Sequence, residues 1–175
     1  SGITGAAYAI NHLQILEEFD LSKDVLGEID EYIYKAIDKE IKNENWDPLH
    51  GYIGQGLYLL QRHPYINQSK QLIKIVEALY KLRVKKDNHD VWITPGIYPH
   101  SNDNYNFGMA HGMSGIISFL SLVAKQGIEQ EKCEIMVKAG LKFFQTRSEI
   151  NEMGYLFPNT IDVKDSNHKV EGRLS

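Results

Sequence analysis

Residues 111–124 read His111-Gly112-Met113-Ser114-Gly115-Ile116-Ile117-Ser118-Phe119-Leu120-Ser121-Leu122-Val123-Ala124. From Met113 to Ala124 there is no charged side chain. A helix that is apolar all round is normally buried on both sides, so this segment belongs inside the molecule. Its opening is odd for a helix. Glycine costs about 1 kcal/mol against alanine in a helix interior, yet two glycines stand three residues apart at its start. Two more segments have the same make-up. Tyr52 to Leu60 is uncharged and is opened by His50-Gly51-Tyr52-Ile53-Gly54, and Ile3 to Leu16 is uncharged and is opened by Ser1-Gly2-Ile3-Thr4-Gly5. The signatures lie 49 and 61 residues apart, an internal repeat with loops of variable length. The paired glycines point either to a close approach of helix starts or a ligand to bare backbone, or to plain close packing.

Between these segments the pattern changes. From Ser22 to Lys42, Val25, Leu26, Ile29, Tyr32, Ile33, Ile37 and Ile41 recur at three- and four-residue steps among Lys, Asp and Glu. That spacing predicts an amphipathic helix, with Ser22 as its N-cap. The same pattern covers about 67–84, with Leu72, Ile73, Val76, Leu79 and Tyr80 on one face, and about 130–147, with Cys133, Met136, Val137, Leu141 and Phe144 inside. Buried and amphipathic helices therefore alternate, which predicts an all-α fold of three helical hairpins at about 1–43, 47–86 and 108–148. A long connection over 85–108, rich in Asn, Asp and Pro, separates the last two. A turn-rich extension, 149–175, follows, in which Tyr155-Leu156-Phe157-Pro158 reads as a brief strand. An inner set of apolar helices inside an outer amphipathic set is the plan of an α/α toroid, of which three hairpins are a part. Such a partial ring leaves inner helices uncovered at its ends.

At 175 residues the chain has the size of one domain. Nineteen Lys+Arg against 23 Asp+Glu give a net charge of −4, without the concentrated basic excess of a nucleic-acid footprint. No apolar run is long enough to span a membrane, and no signal peptide opens the chain, so the expected compartment is the cytosol. The one cysteine, Cys133, excludes a disulfide framework or a multi-thiolate metal site within these residues. It lies on a dry helical stripe and reads as core.

Three residues stand out as candidates for chemistry. His111 sits at the mouth of a buried, glycine-started helix, where an imidazole is either a proton shuttle or a loop-bonding side chain. Asp47, in Asn45-Trp46-Asp47-Pro48-Leu49-His50-Gly51, precedes the second buried helix and is either a cap or, if neighbouring helix starts lie side by side, the carboxylate that orients His111. His50 is a rival partner for Asp47, because it matches His111 in the repeat. Arg173, in Glu171-Gly172-Arg173-Leu174-Ser175, is uninformative on its own. The remaining histidines show no metal-ligand spacing.

These residues carry a resemblance. Gly108-Met109-Ala110-His111-Gly112-Met113-Ser114-Gly115 looks like the Gly-x-Ala-His-Gly-x-x-Gly motif of the lanthionine synthetase C-like cyclases. Asp47-Pro48-Leu49-His50-Gly51-Tyr52-Ile53-Gly54-Gln55-Gly56-Leu57-Tyr58-Leu59-Leu60 is similar to that family's Asp-x-x-x-Gly-x-x-Gly-x-Gly-x-Tyr-Leu-Leu stretch, and Ser1 to Ala9 to an earlier Ser-Gly repeat. The resemblance covers essentially the whole chain. It implies a lantibiotic-type (lanthipeptide) cyclase, which adds peptide cysteine thiols to dehydroalanine or dehydrobutyrine to form thioether rings. His111 is then the acid/base, Asp47 its orienting carboxylate, and Arg173 a positive charge near the enolate. The family often has a small residue where His50 stands.

The resemblance also implies a zinc ion in the full-length protein. The ligands would be the Cys of an Arg-x-x-Trp-Cys-Tyr-Gly motif, which Arg173 would open, and a later Cys-His pair, all beyond Ser175. The chain is thus expected to be an internal piece, inactive by itself and without catalytic zinc. The implied partners are a dehydrated precursor peptide, a dehydratase and a membrane transporter, the last adding a peripheral membrane position to the cytosolic one; no nucleic acid is implied. Alternatives within the family are part of a bifunctional dehydratase/cyclase and a thiol- or glutathione-binding adaptor that forms no rings. Outside it, a carbohydrate-acting α/α toroid would need paired carboxylates, and Asp47 has no acidic partner at a helix start.

Overall fold

The computed structural model describes residues 2–15, 26–64, 66–95, 102–152 and 154–164. Among them are six helices: α1 (Ile3–Ile15), α2 (Gly27–Lys42), α3 (Tyr52–Arg62), α4 (Ser69–Leu82), α5 (Met113–Lys125) and α6 (Gln130–Thr146). The all-α reading holds, with every helix where the hydrophobic period put it. The Ser22 cap lies outside the described residues; α2 as described begins at Gly27, after Leu26.

The helices form two layers. In one, α3 packs between α1 and α5. The other holds α2, α4 and α6, joined side by side by the ion pairs Lys74–Asp38, at 2.8 Å, and Lys132–Glu77. The core fills the space between, where Ile33, Ile37, Leu59, Leu72, Ile75, Leu79, Phe119, Leu120, Met136 and Phe143 are fully buried. Gly56 is needed here, since a Cβ on it would stand 2.9 Å from the Ile75 side chain and closer to the Phe119 ring.

Several expectations need correction. α1 is not buried on both sides: only Thr4, Ala7 and Asn11 are buried, and Ile3, Tyr8 and Ile15 face solvent. Its main contacts are with α3 and, fewer, with α2. Tyr32 and Leu141, read as core, are exposed, whereas Phe143 is buried. Asp30, read as part of the wet face of α2, is 4% exposed. Its carboxylate is bonded by Arg62 of α3 (Nη2 to Oδ2, 2.8 Å) and by the Tyr58 hydroxyl, while Arg62 Nη1 also reaches Asn11 Oδ1 of α1 at 3.4 Å.

The long connection is not a plain loop. β1 (Val84–Lys86) and β2 (His89–Val91) form an antiparallel hairpin with Val84 opposite Val91. Its turn residues Asp87 and Asn88 both have positive φ, 50° and 65°, as a tight two-residue hairpin turn requires. Trp92 follows, fully buried, and donates its indole N–H to the Leu79 carbonyl at 2.9 Å. β3 (Asn104–Asn106) pairs antiparallel with β6 (Thr160–Asp162), and β4 (Glu149–Asn151) with β5 (Gly154–Leu156). The expected brief strand is thus present at β5, ending before Phe157.

Candidate active site

Two helix starts create the site. α3 and α5 are capped by Gly51 and Gly112, both in extended conformation and neither with a side-chain cap bond. The glycines are explained by the loops that lead into them. A Cβ on Gly54 would lie 2.5 Å from the carbonyl oxygen of Pro48, and one on Gly112 would lie 2.5 Å from that of Asn106. Gly51 meets Asn45 and Gly115 meets Met109 in the same way. In all four cases the obstacle is the carbonyl six residues upstream. Each loop folds back over its own helix start, and bare backbone is what lets it. Only Gly115 also meets the neighbouring repeat, at Pro48 Cγ, 2.5 Å away. Gly5 in α1 meets nothing within 4 Å.

This folding back aims the side chains. Asp47 is not a helix cap. Its Oδ1 accepts the N–H groups of Leu49 and His50, each at 2.8 Å, before α3 begins. That leaves Oδ2 directed away from its own loop, and His111 meets it, Nδ1 to Oδ2, at 2.7 Å. A carboxylate only accepts, so the proton of the neutral ring lies on Nδ1 and its lone pair on Nε2. Nε2 has no partner among the described residues. The His111 side chain is 48% exposed and that of Asp47 23%, so the pair is open to a ligand on one side. His50 does not compete for the carboxylate with its ring. Its ring stacks on His111 instead, with centroids 5.8 Å apart and planes 26° apart.

The loop carrying His111 is held by parts of the chain to which sequence reasoning gave no role. Asn106 Oδ1 accepts the Gly108 N–H at 2.8 Å, Phe107 N–H bonds the Asn159 carbonyl at 3.0 Å, and Ser114 Oγ donates to the Phe107 carbonyl at 2.6 Å. Thr94 Oγ1 donates to the His111 carbonyl at 3.4 Å. Phe107 itself is buried against the rings of Phe143 and Phe144. A sequence signal for this was present. At the 61-residue offset of the two histidines, Asn45 aligns with Asn106 and Trp46 with Phe107. Both aromatics are buried, each 6% exposed.

Beside the pair, an apolar groove of about 460 Å³ runs between α1, α3 and α5. Thr4, Tyr8, Leu57 and Leu122 line it, with Pro48 and Leu49 from the Asp47 loop. Arg173 lies outside the described residues. Among the described residues no three His, Cys, Asp or Glu side chains converge as a metal site. Cys133 is fully buried in α6, and burial pushes its thiol up to about 11, the opposite of what a metal-binding or nucleophilic thiol needs. The described residues therefore do not fit a zinc ion by themselves. No helix among them is long and apolar enough to cross a membrane.

A family model described as lanthionine synthetase C-like protein matches residues 1–171. Searches of curated proteins and of solved structures find no match.

Proposed function

The chain belongs to the lanthionine synthetase C-like family, and from that premise we propose that it is part of a cyclase that closes thioether rings in a dehydrated precursor peptide. The observation that carries the reading is the 2.7 Å contact between Asp47 and His111. It brings two motifs 64 residues apart into contact, which supports reading them as one proton-transfer unit.

The reaction asks for two proton movements and no net proton. A cysteine thiol of the peptide loses its proton, and its sulfur forms a bond to Cβ of dehydroalanine or dehydrobutyrine. The π pair shifts toward the carbonyl as an enolate, and Cα then takes a proton. A free thiol has a pKa near 8.5, so a base is useful in the first step and an acid in the last. The lone pair on Nε2 of His111 suits the first task. The N–H it becomes suits the second, so the ring ends as it began. Asp47 keeps the proton on Nδ1 and faces the ring while it carries charge. The groove beside the Asp47 loop offers apolar space for side chains of the peptide.

In this proposal Arg173 supplies positive charge to the enolate. The zinc ion implied by the resemblance would draw its ligands from outside the described residues, and no step above is routed through it. The proposed setting is the cytosol, with the dehydratase and a membrane transporter as neighbours.

Ring closure leaves peptide mass unchanged but consumes a thiol, so alkylation followed by mass spectrometry counts open rings. The intact protein should protect the cysteines of a dehydrated peptide from alkylation, and His111→Asn should leave most of them reactive, a loss of about 100-fold or more in rate. Ring closure at the unaltered rate in His111→Asn overturns the assignment. An intact protein that binds the peptide thiol but never consumes it points instead to an adaptor.

A further inference from the structure

We propose that Ser114 is a positioning residue, whose hydroxyl clasps the loop that carries His111 and so keeps the imidazole on Asp47. The inference rests on the acid/base reading of His111 and deepens it.

The loop that presents His111 has little packing of its own. Gly108, Met109, Ala110 and His111 are all exposed, with buried Phe107 on one side and buried Gly112 and Met113 on the other. Both ends are fixed. The Phe107 ring packs on those of Phe143 and Phe144, and its N–H bonds the Asn159 carbonyl at 3.0 Å. Met113, Ile116 and Ile117 seat the start of α5 in the core. Ser114 ties one end to the other. Its Oγ donates to the Phe107 carbonyl, seven residues upstream, at 2.6 Å, a short and favourable distance for two oxygens. Ser121, in the same helix, bonds the carbonyl of Ile117 four residues back, the usual local habit of a helical serine. Ser114 spans the whole loop instead.

The loop before α3 is closed by other means. There Asp47 Oδ1 accepts the N–H groups of Leu49 and His50. At the 61-residue offset of the repeat, Gly108 stands where Asp47 does, so the His111 loop has no such carboxylate. The position of Ser114 is held by Ile53, so the Asp47 loop has no such hydroxyl. Nor can His111 close its own loop. Its Nδ1 is committed to Asp47, and Nε2 must stay open to act as base and then acid. The closure falls to a side chain that takes no part in the proton transfer.

Threonine and valine have nearly the same shape, so substituting each for Ser114 in the intact protein isolates the hydroxyl. Ser114→Val should lower kcat for ring closure about tenfold, with KM within about twofold, because orientation and not binding is lost. Ser114→Thr should keep kcat within about twofold of the parent, since the donor remains. Ring ¹H–¹⁵N spectra of histidine-labelled protein give a readout independent of turnover. The His111 Nδ1–H signal should persist in the parent and in Ser114→Thr, and exchange-broaden in Ser114→Val. If Ser114→Thr is as slow as Ser114→Val, the hydroxyl is not the cause and the inference falls. It falls equally if Ser114→Val keeps the parent kcat, or slows turnover while the Nδ1–H signal stays sharp. His111→Asn separates these failures from failure of the underlying reading. If it closes rings at the parent rate, the acid/base assignment is wrong, while the Nδ1–H signal still judges the clasp.

Discussion

The two oxygens of Asp47 have different tasks. Oδ1 closes its own turn and Oδ2 holds His111, so a change that spares one task exposes the other. Asp47→Asn keeps an acceptor for the turn. It puts an amide N–H opposite Nδ1, and two donors cannot pair, so the ring favours the tautomer with its proton on Nε2. That removes the lone pair from the side that faces substrate. Ring closure should fall by about 100-fold or more, while the melting temperature shifts by only a few degrees at this half-exposed site. Alkylation kinetics and thermal melts on the same preparation check both halves. Asp47 and His111 were legible in the sequence because each stands at a repeat start, and repeats place starts side by side. The partner of His50 was not. The residue matches His111 in the repeat, and only the fold-back of the loop shows that its backbone N–H bonds Asp47 while its ring lies beside that of His111.

The helix starts make a stronger statement about their glycines than helix propensity does. Gly112→Ala would press a Cβ into the carbonyl of Asn106, 2.5 Å away, and a backbone atom cannot step aside as a side-chain tip can. The loop must shift, and it carries His111. The expected cost is about 1–3 kcal/mol by urea unfolding. Gly5→Ala makes the contrast. Gly5 lies within α1 with nothing near its missing Cβ, so alanine should stabilise by about 0.5–1 kcal/mol. Equal effects at the two positions would dismiss the fold-back account.

Some features of these elements were hidden from sequence for definite reasons. Strands of three residues, as in β1 to β6, are too short to show an alternation. A charged residue between apolar ones is assigned to water by periodicity. Asp30 escapes that rule because Arg62 and Tyr58, one turn apart on α3, meet it from another element. Arg62→Met should therefore cost about 3–5 kcal/mol, by leaving Asp30 buried and charged. The double change with Asp30→Leu should recover much of that loss, which urea unfolding of both variants measures.

At the scale of the whole molecule, the core between the two helix layers holds weak acids that burial keeps protonated. Cys133 in α6 is raised from 9.0 to about 11, chiefly by desolvation with Glu129 adding to it. Tyr52, which opens α3, and Tyr58, in its middle, are raised above their ordinary value of 10.0, both chiefly by burial. For each group the folded state holds its proton more tightly than the unfolded chain does. Below about pH 9 both states are protonated and the packing contributes in full. As pH climbs from 9 toward 11, the unfolded chain releases the Cys133 proton while the folded one keeps it, so stability declines. Two pH units correspond to at most about 2–3 kcal/mol, and the tyrosines add to the decline only above pH 10. The melting temperature should thus be level up to about pH 9 and then fall. Cys133→Ala should melt somewhat lower at pH 8, through the lost sulfur, yet show a shallower fall between pH 9 and 10, where Cys133 alone contributes. Parallel slopes for the two proteins over that interval would mean that Cys133 does not titrate with unfolding, and that α6 does not bury it as tightly as the rest of the core.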